Sequence, residues 1–237
     1  MAYFFGLEQK DKQPSVVLVR LNLQTGASSV VQIPGEGSPW AIYRSSDALL
    51  VPNRRVIEVY SLKTGQFIPQ TIPCVQLDSS NGFVVANGKS VYEWEEDGVI
   101  TQIATDELKP VAKAIPWQLG ESVLSVNPSA AAGKTENLLV LAAVVDKKGN
   151  KSTEKSKLLL VDPASQKILF TRELPFLAKP PLVMSSDKQR AWIINPKGHA
   201  IVAIHTRNLE QMDNVPMGVQ LGERQWKDMQ VLGDSSR

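Results

Sequence analysis

Cysteine, histidine and long apolar runs are scarce in this sequence, and each scarcity excludes something. The single cysteine, Cys74, cannot form an intrachain disulfide, so nothing in the chain calls for an oxidising compartment. Only two histidines occur in 237 residues, His199 and His205. Neither has a second His or Cys at ligand spacing, and no zinc signature is present. The longest apolar run, Leu138–Val145, is strand-length and far short of the roughly 20 residues that cross a bilayer. No basic segment precedes an apolar core at the N-terminus, which argues against a secretory leader. These features together predict an intracellular protein, cytoplasmic or nuclear, with no membrane contact. Excess charge is lacking too: 26 Lys+Arg stand against 24 Asp+Glu, where a dedicated nucleic-acid binder shows a basic stripe. With 43% hydrophobic and 21% charged residues, the chain has the balance of a globular protein.

What the sequence does contain is a repeat. An aliphatic residue followed by proline recurs at Ile33-Pro34, Ile72-Pro73, Ile115-Pro116, Leu174-Pro175 and Val215-Pro216, with prolines 39, 43, 59 and 41 residues apart. Three of these intervals match a four-stranded propeller blade, roughly 40–50 residues. Each proline follows a strand, a short turn and another strand. Ser15–Leu21 turns at Thr25-Gly26, Val56–Leu62 at Thr64-Gly65, and Ser90–Trp94 at Asp97-Gly98. Alternating apolar residues around Thr-Gly or Asp-Gly signal hairpins. Upstream of each lies a further strand (Leu49–Val51, Phe83–Val85, Leu138–Leu141, Ala191–Ile194), itself preceded by a segment that in three copies closes on a Ser-Ser turn. No segment of convincing length has helical spacing.

The expected fold is therefore all-β: a β-propeller of about five four-stranded blades, covering 1–34 (with 226–237), 38–73, 74–116, 117–175 and 176–216 as one domain. The first copy lacks its first strand, and the chain ends with an orphan one, Met229–Leu232. Pairing of that C-terminal strand with the N-terminal blade would close the ring; the alternative is a piece of a longer propeller. From Leu158 to Ala203 the order is an apolar strand, Val161-Asp162, a strand ending Leu174-Pro175, Ser185-Ser186-Asp187-Lys188 and Ala191–Asn195. This run resembles the repeats of the YVTN and WD40-like propeller superfamily. The Gly-His and Trp-Asp pairs of true WD40 repeats are absent. The resemblance implies a fold, and such folds host unrelated functions.

Catalytic residues, cofactors and metals find no signature. His199 reads as a solvated turn residue, and Cys74 as a buried filler. Inner-strand carboxylates suited to glycoside cleavage reduce to Asp78, Glu121 and Asp228, all near strand ends. Ala132-Gly133-Lys134-Thr135 imitates the end of a phosphate loop without its upstream glycine. The insertion Asp146–Lys157 carries Lys147, Lys148, Lys151, Lys155 and Lys157. It reads as a solvated hairpin loop, or as a contact for an acidic partner or a phosphate backbone. Without interleaved aromatics it is unsuited to stacking bases. Arg54 and Arg55, in a turn, complete the candidate partner contacts. By subtraction, the leading expectation is a non-catalytic scaffold that docks other proteins within a larger intracellular assembly, a nuclear or ribonucleoprotein setting included. The competing expectation is a lactonase-like or glycosidase-like propeller enzyme with an axial-channel site.

Overall fold

The computed structural model describes residues 1–10, 13–35, 39, 42–74, 81–86, 90–105, 107–112, 116–129, 137–145, 151–185 and 187–216. Among them there are strands, turns and short connections, and no helix. The strands make five antiparallel sheets in chain order. The first holds β1 (Ala2–Lys10), β2 (Gln13–Leu21) and β3 (Ser28–Gln32). The second holds β4 (Tyr43–Arg44), β5 (Ala48–Asn53), β6 (Val56–Ser61) and β7 (Gln66–Pro73). In the third, β8 (Asn81–Ala86), β9 (Ser90–Glu95) and β10 (Val99–Ala104) are followed by β11 (Pro116–Gln118). The fourth is β12 (Ser122–Pro128), β13 (Leu138–Val145), β14 (Lys151–Asp162) and β15 (Lys167–Leu174). The fifth is β16 (Lys179–Met184), β17 (Arg190–Asn195), β18 (Ala200–His205) and β19 (Gln211–Pro216). Four sheets have four strands and the first has three; in the third, the fourth strand is β11 and not the segment predicted before Phe83, most of which lies outside the described residues.

A recurrent serine explains why the turns repeat. Ser45 N donates to Ala48 O (2.9 Å), while Ser45 Oγ accepts from Ala48 N (3.1 Å). Ser185 makes the same pair with Arg190: N to O at 2.9 Å, and Arg190 N to Ser185 Oγ at 3.0 Å. The carbonyl just before each partner then takes a third-strand amide, Leu62 N to Asp47 O and Thr206 N to Gln189 O. Ser129 keeps the main-chain bond, to Asn137 O at 2.8 Å, across a longer connection. A serine hydroxyl that accepts a local N–H closes a tight turn where main-chain groups would otherwise be left unpaired.

Contacts divide the chain into two compact units. In the first (residues 1–79, 88–91 and 103–114), Leu18, Leu49 and Tyr60 form a buried cluster. The Tyr60 ring stands edge-on to Tyr3 and to Phe67, with centroids 6.1 and 5.2 Å apart. Such edge-to-face pairs add about 0.5–1.5 kcal/mol beyond area burial. The second unit (80–87, 92–102 and 115–237) packs β13 and β14 on both faces. Leu139, Leu141, Leu158 and Leu160 enter one cluster; Leu138, Val140, Leu159 and Val161 enter another. Burial on both faces is why these strands read as unbroken apolar runs rather than alternating ones. Trp94 and Trp117 pack against the second cluster.

One expectation changes. Asp146–Lys157 is not a loop throughout, because β14 starts at Lys151 and its polar stretch is paired on both sides: Ala143↔Ser156↔Leu174 and Ala142↔Lys157↔Glu173. Ser156 is fully buried, its N donating to Phe176 O and its Oγ accepting from Ala178 N, both at 3.0 Å. Those bonds satisfy a polar sequence inside a sheet. Beyond β10, Leu108 N donates to Thr105 O, and Ala104 bridges Pro110. Pro116–Gln118, at the predicted blade junction, pairs with Val99–Thr101 of the third sheet. The proposed closing strand Met229–Leu232 lies outside the described residues, as do Trp40, Trp226 and most of the third copy's first strand.

Candidate functional site

The residues singled out from sequence do not converge. Lys147 and Lys148, Asp78, Asp228 and the Ala132–Thr135 segment lie outside the described residues. Lys151 opens β14. Lys155 is exposed, 3.9 Å from Glu173. Lys157 turns inward to an ion pair with Glu121 at 2.5 Å, both side chains only 18% exposed. One sequence-selected lysine and one sequence-selected carboxylate are thus bound to each other. Arg54 occupies a left-handed turn position (φ 59°) and Arg55 follows it, both exposed, with Arg55 O accepting from Cys74 N. Cys74 is half-buried. His199 is exposed in its turn as read, and His205 Nδ1 accepts from Arg207 N at 3.3 Å. Among the described residues no group of three or more His, Cys, Asp or Glu could hold a metal ion.

A polar niche lies elsewhere, inside the first unit. β5 and β6 run antiparallel with Val51↔Glu58 and Asn53↔Val56 in register. Residues two apart on a strand share a face, so Asn53 follows Leu49 and Val51 while Glu58 precedes Tyr60. Leu49 and Tyr60 are core, which fixes that face as the packed one. Asn53 and Glu58 are accordingly buried, each only 4% exposed. The Asn53 side-chain amide donates to Pro34 O at 3.0 Å, but its Oδ1 is buried with no hydrogen-bond partner. Burial pushes the Glu58 carboxyl above the usual carboxylate range.

Gly35 lies over these two side chains. It is exposed and left-handed (φ +77°), a backbone conformation glycine adopts without strain. A Cβ placed there would lie 3.4 Å from Asn53 Nδ2 and 3.6 Å from Glu58 Oε1. A methyl group there would already touch both side chains, so Gly35 packs closely over a buried amide and a buried acid. The arrangement buries an amide with a free acceptor oxygen, Asn53 Oδ1, and a carboxyl that favours its neutral, proton-donating form. Sequence reasoning passed over both residues. The signal was a charged residue amid apolar ones in a third strand, Val56-Ile57-Glu58-Val59, repeated as Val91-Tyr92-Glu93-Trp94 with Glu93 likewise buried.

No family model and no curated protein matches the sequence. Solved structures do. The dihydro-heme d1 dehydrogenase NirN in complex with DHE superimposes with a TM-score of 0.55 at 17% identity, over 86% of this chain and 44% of that one. The hydrazine synthase of Kuenenia stuttgartiensis gives 0.50 at 16% identity, over 81% and 57%. The periplasmic gluconolactonase PpgL of Pseudomonas aeruginosa gives 0.47 at 15%, over 91% and 68%. The chain spans about half the length of the first two. These β-propeller-type structures overturn the expectation of a non-catalytic scaffold: a dehydrogenase and a synthase carry the fold, so its regular sheets do not argue against catalysis. The subtraction behind that expectation also overlooked a buried acid. What the five sheets and these likenesses establish together is the fold class, an all-β propeller of five blades.

Proposed function

We propose that this chain is the propeller portion of a small-molecule hydrolase, lactonase-like or glycosidase-like, with Glu58 as its general acid and Asn53 as its positioning partner. The observation that carries the reading is a carboxyl 4% exposed, beneath an exposed glycine and near the buried Asn53 amide. A buried acid is costly to ionise, so it holds its proton at pH values where an ordinary carboxylate has lost it. In the proposed step the Glu58 proton passes to the leaving oxygen as water adds to the carbon. The water's surplus proton returns to Glu58, and one water is consumed per bond broken. The finer kinship, with YVTN-like repeats, is part of this proposal and draws support from the Ser185–Asp187 turn.

The test is hydrolysis of a chromogenic aryl-glycoside panel and an aliphatic lactone by the wild-type protein and by Glu58→Gln. Turnover that falls about 10²–10⁴-fold in the variant, and falls with rising pH in the wild type, supports the role. A wild-type protein that hydrolyses none of them, or a variant as active as the parent, refutes it.

A further inference from the structure

The hairpin turn that follows β2, β6, β9, β14 and β18 is closed in each sheet by a side-chain acceptor. Asn22 Oδ1 takes the Gln24 amide at 2.9 Å, and Ser61 Oγ takes that of Thr64 at 3.2 Å. Asp97 Oδ1 accepts from Val99 N at 3.3 Å and Asp162 Oδ1 from Ala164 N at 3.0 Å. In the fifth sheet the acceptor is an imidazole nitrogen, His205 Nδ1, which takes the Arg207 amide at 3.3 Å. The amide, hydroxyl and carboxylate oxygens accept throughout the range above about pH 5. An imidazole nitrogen accepts only while the ring is neutral, and imidazoles ordinarily gain their second proton between about pH 6 and 7.

More than one bond depends on this acceptor. His205 N donates to Glu210 O at 2.7 Å, and Asn208 Oδ1 accepts from Glu210 N at 3.1 Å. Between them Leu209 is left-handed (φ 59°) and only 1% exposed, its carbonyl accepting from Arg172 Nη1 of β15 at 2.7 Å. A branched residue stays in that conformation only where its neighbours hold it there. The charges around the turn oppose another cation. Arg190 of β17 stands directly opposite His205, Arg207 lies in the turn itself, and Arg172 reaches it from β15. Lys188 adjoins it from the β16–β17 turn, where Lys188 O accepts from Thr206 Oγ1. The carboxylates on these elements are Glu210 in the turn and Asp187 beside Lys188. Like charges directly opposite in a sheet destabilise the pairing. Protonating His205 therefore turns an acceptor into a donor aimed at the Arg207 amide, and sets a cation across from Arg190.

We propose that the His205–Glu210 turn is an acid-sensitive switch, closed while His205 is neutral and open once it is protonated, which frees Leu209 from the core and the start of β19 from β18. Amide hydrogen exchange, normalised to intrinsic rates at pH 8 and pH 5, reads the opening. Protection of the His205 and Glu210 amides should fall about tenfold on acidification, the factor that one ordinary hydrogen bond supplies, while Ala164 in the Asp162 turn stays within about twofold. His205→Asn installs the acceptor of the first sheet's turn, so its ratio between the two pH values should lie within about twofold of one. A second measurement needs no variant: long-range 1H–15N correlation at pH 8 should place the ring proton of His205 on Nε2, the tautomer that leaves Nδ1 free to accept. Equal wild-type protection at both pH values, the same acid-induced loss in His205→Asn as in the wild type, or a proton on Nδ1 at pH 8 would each overturn the proposal.

Discussion

Replacing Gly98 with alanine tests the register of the third and fourth sheets more sharply than any core truncation. Gly98 is buried at φ +92°, and a Cβ there would lie 2.2 Å from Glu121 O, 3.2 Å from Glu121 N and 3.3 Å from Glu121 C. All three are main-chain atoms, and the surrounding turn is tethered: Gly98 N donates to Glu95 O, Leu119 N to Gly98 O, and Val123 N to Glu96 O. Neither side can yield without breaking hydrogen bonds. Gly120, in the same unit, supplies the control: its φ is +76°, and nothing lies within 4 Å of its Cβ position. Both alanines incur the left-handed penalty of roughly 1–2 kcal/mol, partly offset by about 0.4–1 kcal/mol of lost freedom in the unfolded chain. Only Gly98→Ala adds overpacking, about 1–3 kcal/mol. The difference between the two variants in urea unfolding, at unchanged m, is thus expected to be about 1–3 kcal/mol. A difference below about 0.5 kcal/mol, the scatter of neutral surface changes, would refute the placement of Glu121 against this turn.

Other outcomes follow from particular contacts. Leu160→Ala, fully buried among Leu139, Leu158 and Leu174, should cost about 2–5 kcal/mol, whereas Ile168→Ala on the outer strand, 42% exposed, should cost far less; equal losses in chemical denaturation would reverse the assigned faces. Glu121→Gln leaves Lys157 partly buried without its carboxylate and should lower stability by about 1–3 kcal/mol, while Glu173→Gln opposite exposed Lys155 should change it by less than about 1 kcal/mol. A double-mutant cycle with Lys157→Met that finds no coupling would dispose of the first pair. Because burial raises the Glu58 carboxyl, the folded state favours the acid form. Its contribution is full below the unfolded-state pKa and is lost as pH rises through the folded one. Glu58→Gln should therefore be more stable than wild type at pH 8 and gain nothing at pH 4; parallel stability–pH curves would contradict a buried neutral acid. Ser185→Ala removes the hydroxyl that holds the Asp187 carboxyl below its ordinary range, so the Asp187 pKa should rise in an NMR titration.

The strand-and-turn repeat was legible because each of its signals is local. Period-two alternation around Thr64-Gly65 and Asp97-Gly98 and the closing serines at 45 and 185 all act within a few residues. The unbroken run at Leu138–Val145 was legible as a strand, and its burial on both faces followed once sheets lay on either side. Polar residues gave less away, since the same letters serve in loops and in strands. Lys151–Lys157 looked like a charged loop because nothing local reveals that Ala142, Ala143, Glu173 and Leu174 pair with it.

The candidate site shows the limit most plainly. The sequence by itself determined that Glu58 sits on an apolar strand, and alternation put it on the face of Tyr60. Only the tertiary structure decided that this face packs against the first sheet's Leu18, that Pro34 engages the Asn53 amide, and that Gly35 closes over both side chains. Whether a carboxyl is buried and reluctant to ionise depends on groups brought to it from 20 or more residues away, and desolvation has no sequence pattern of its own.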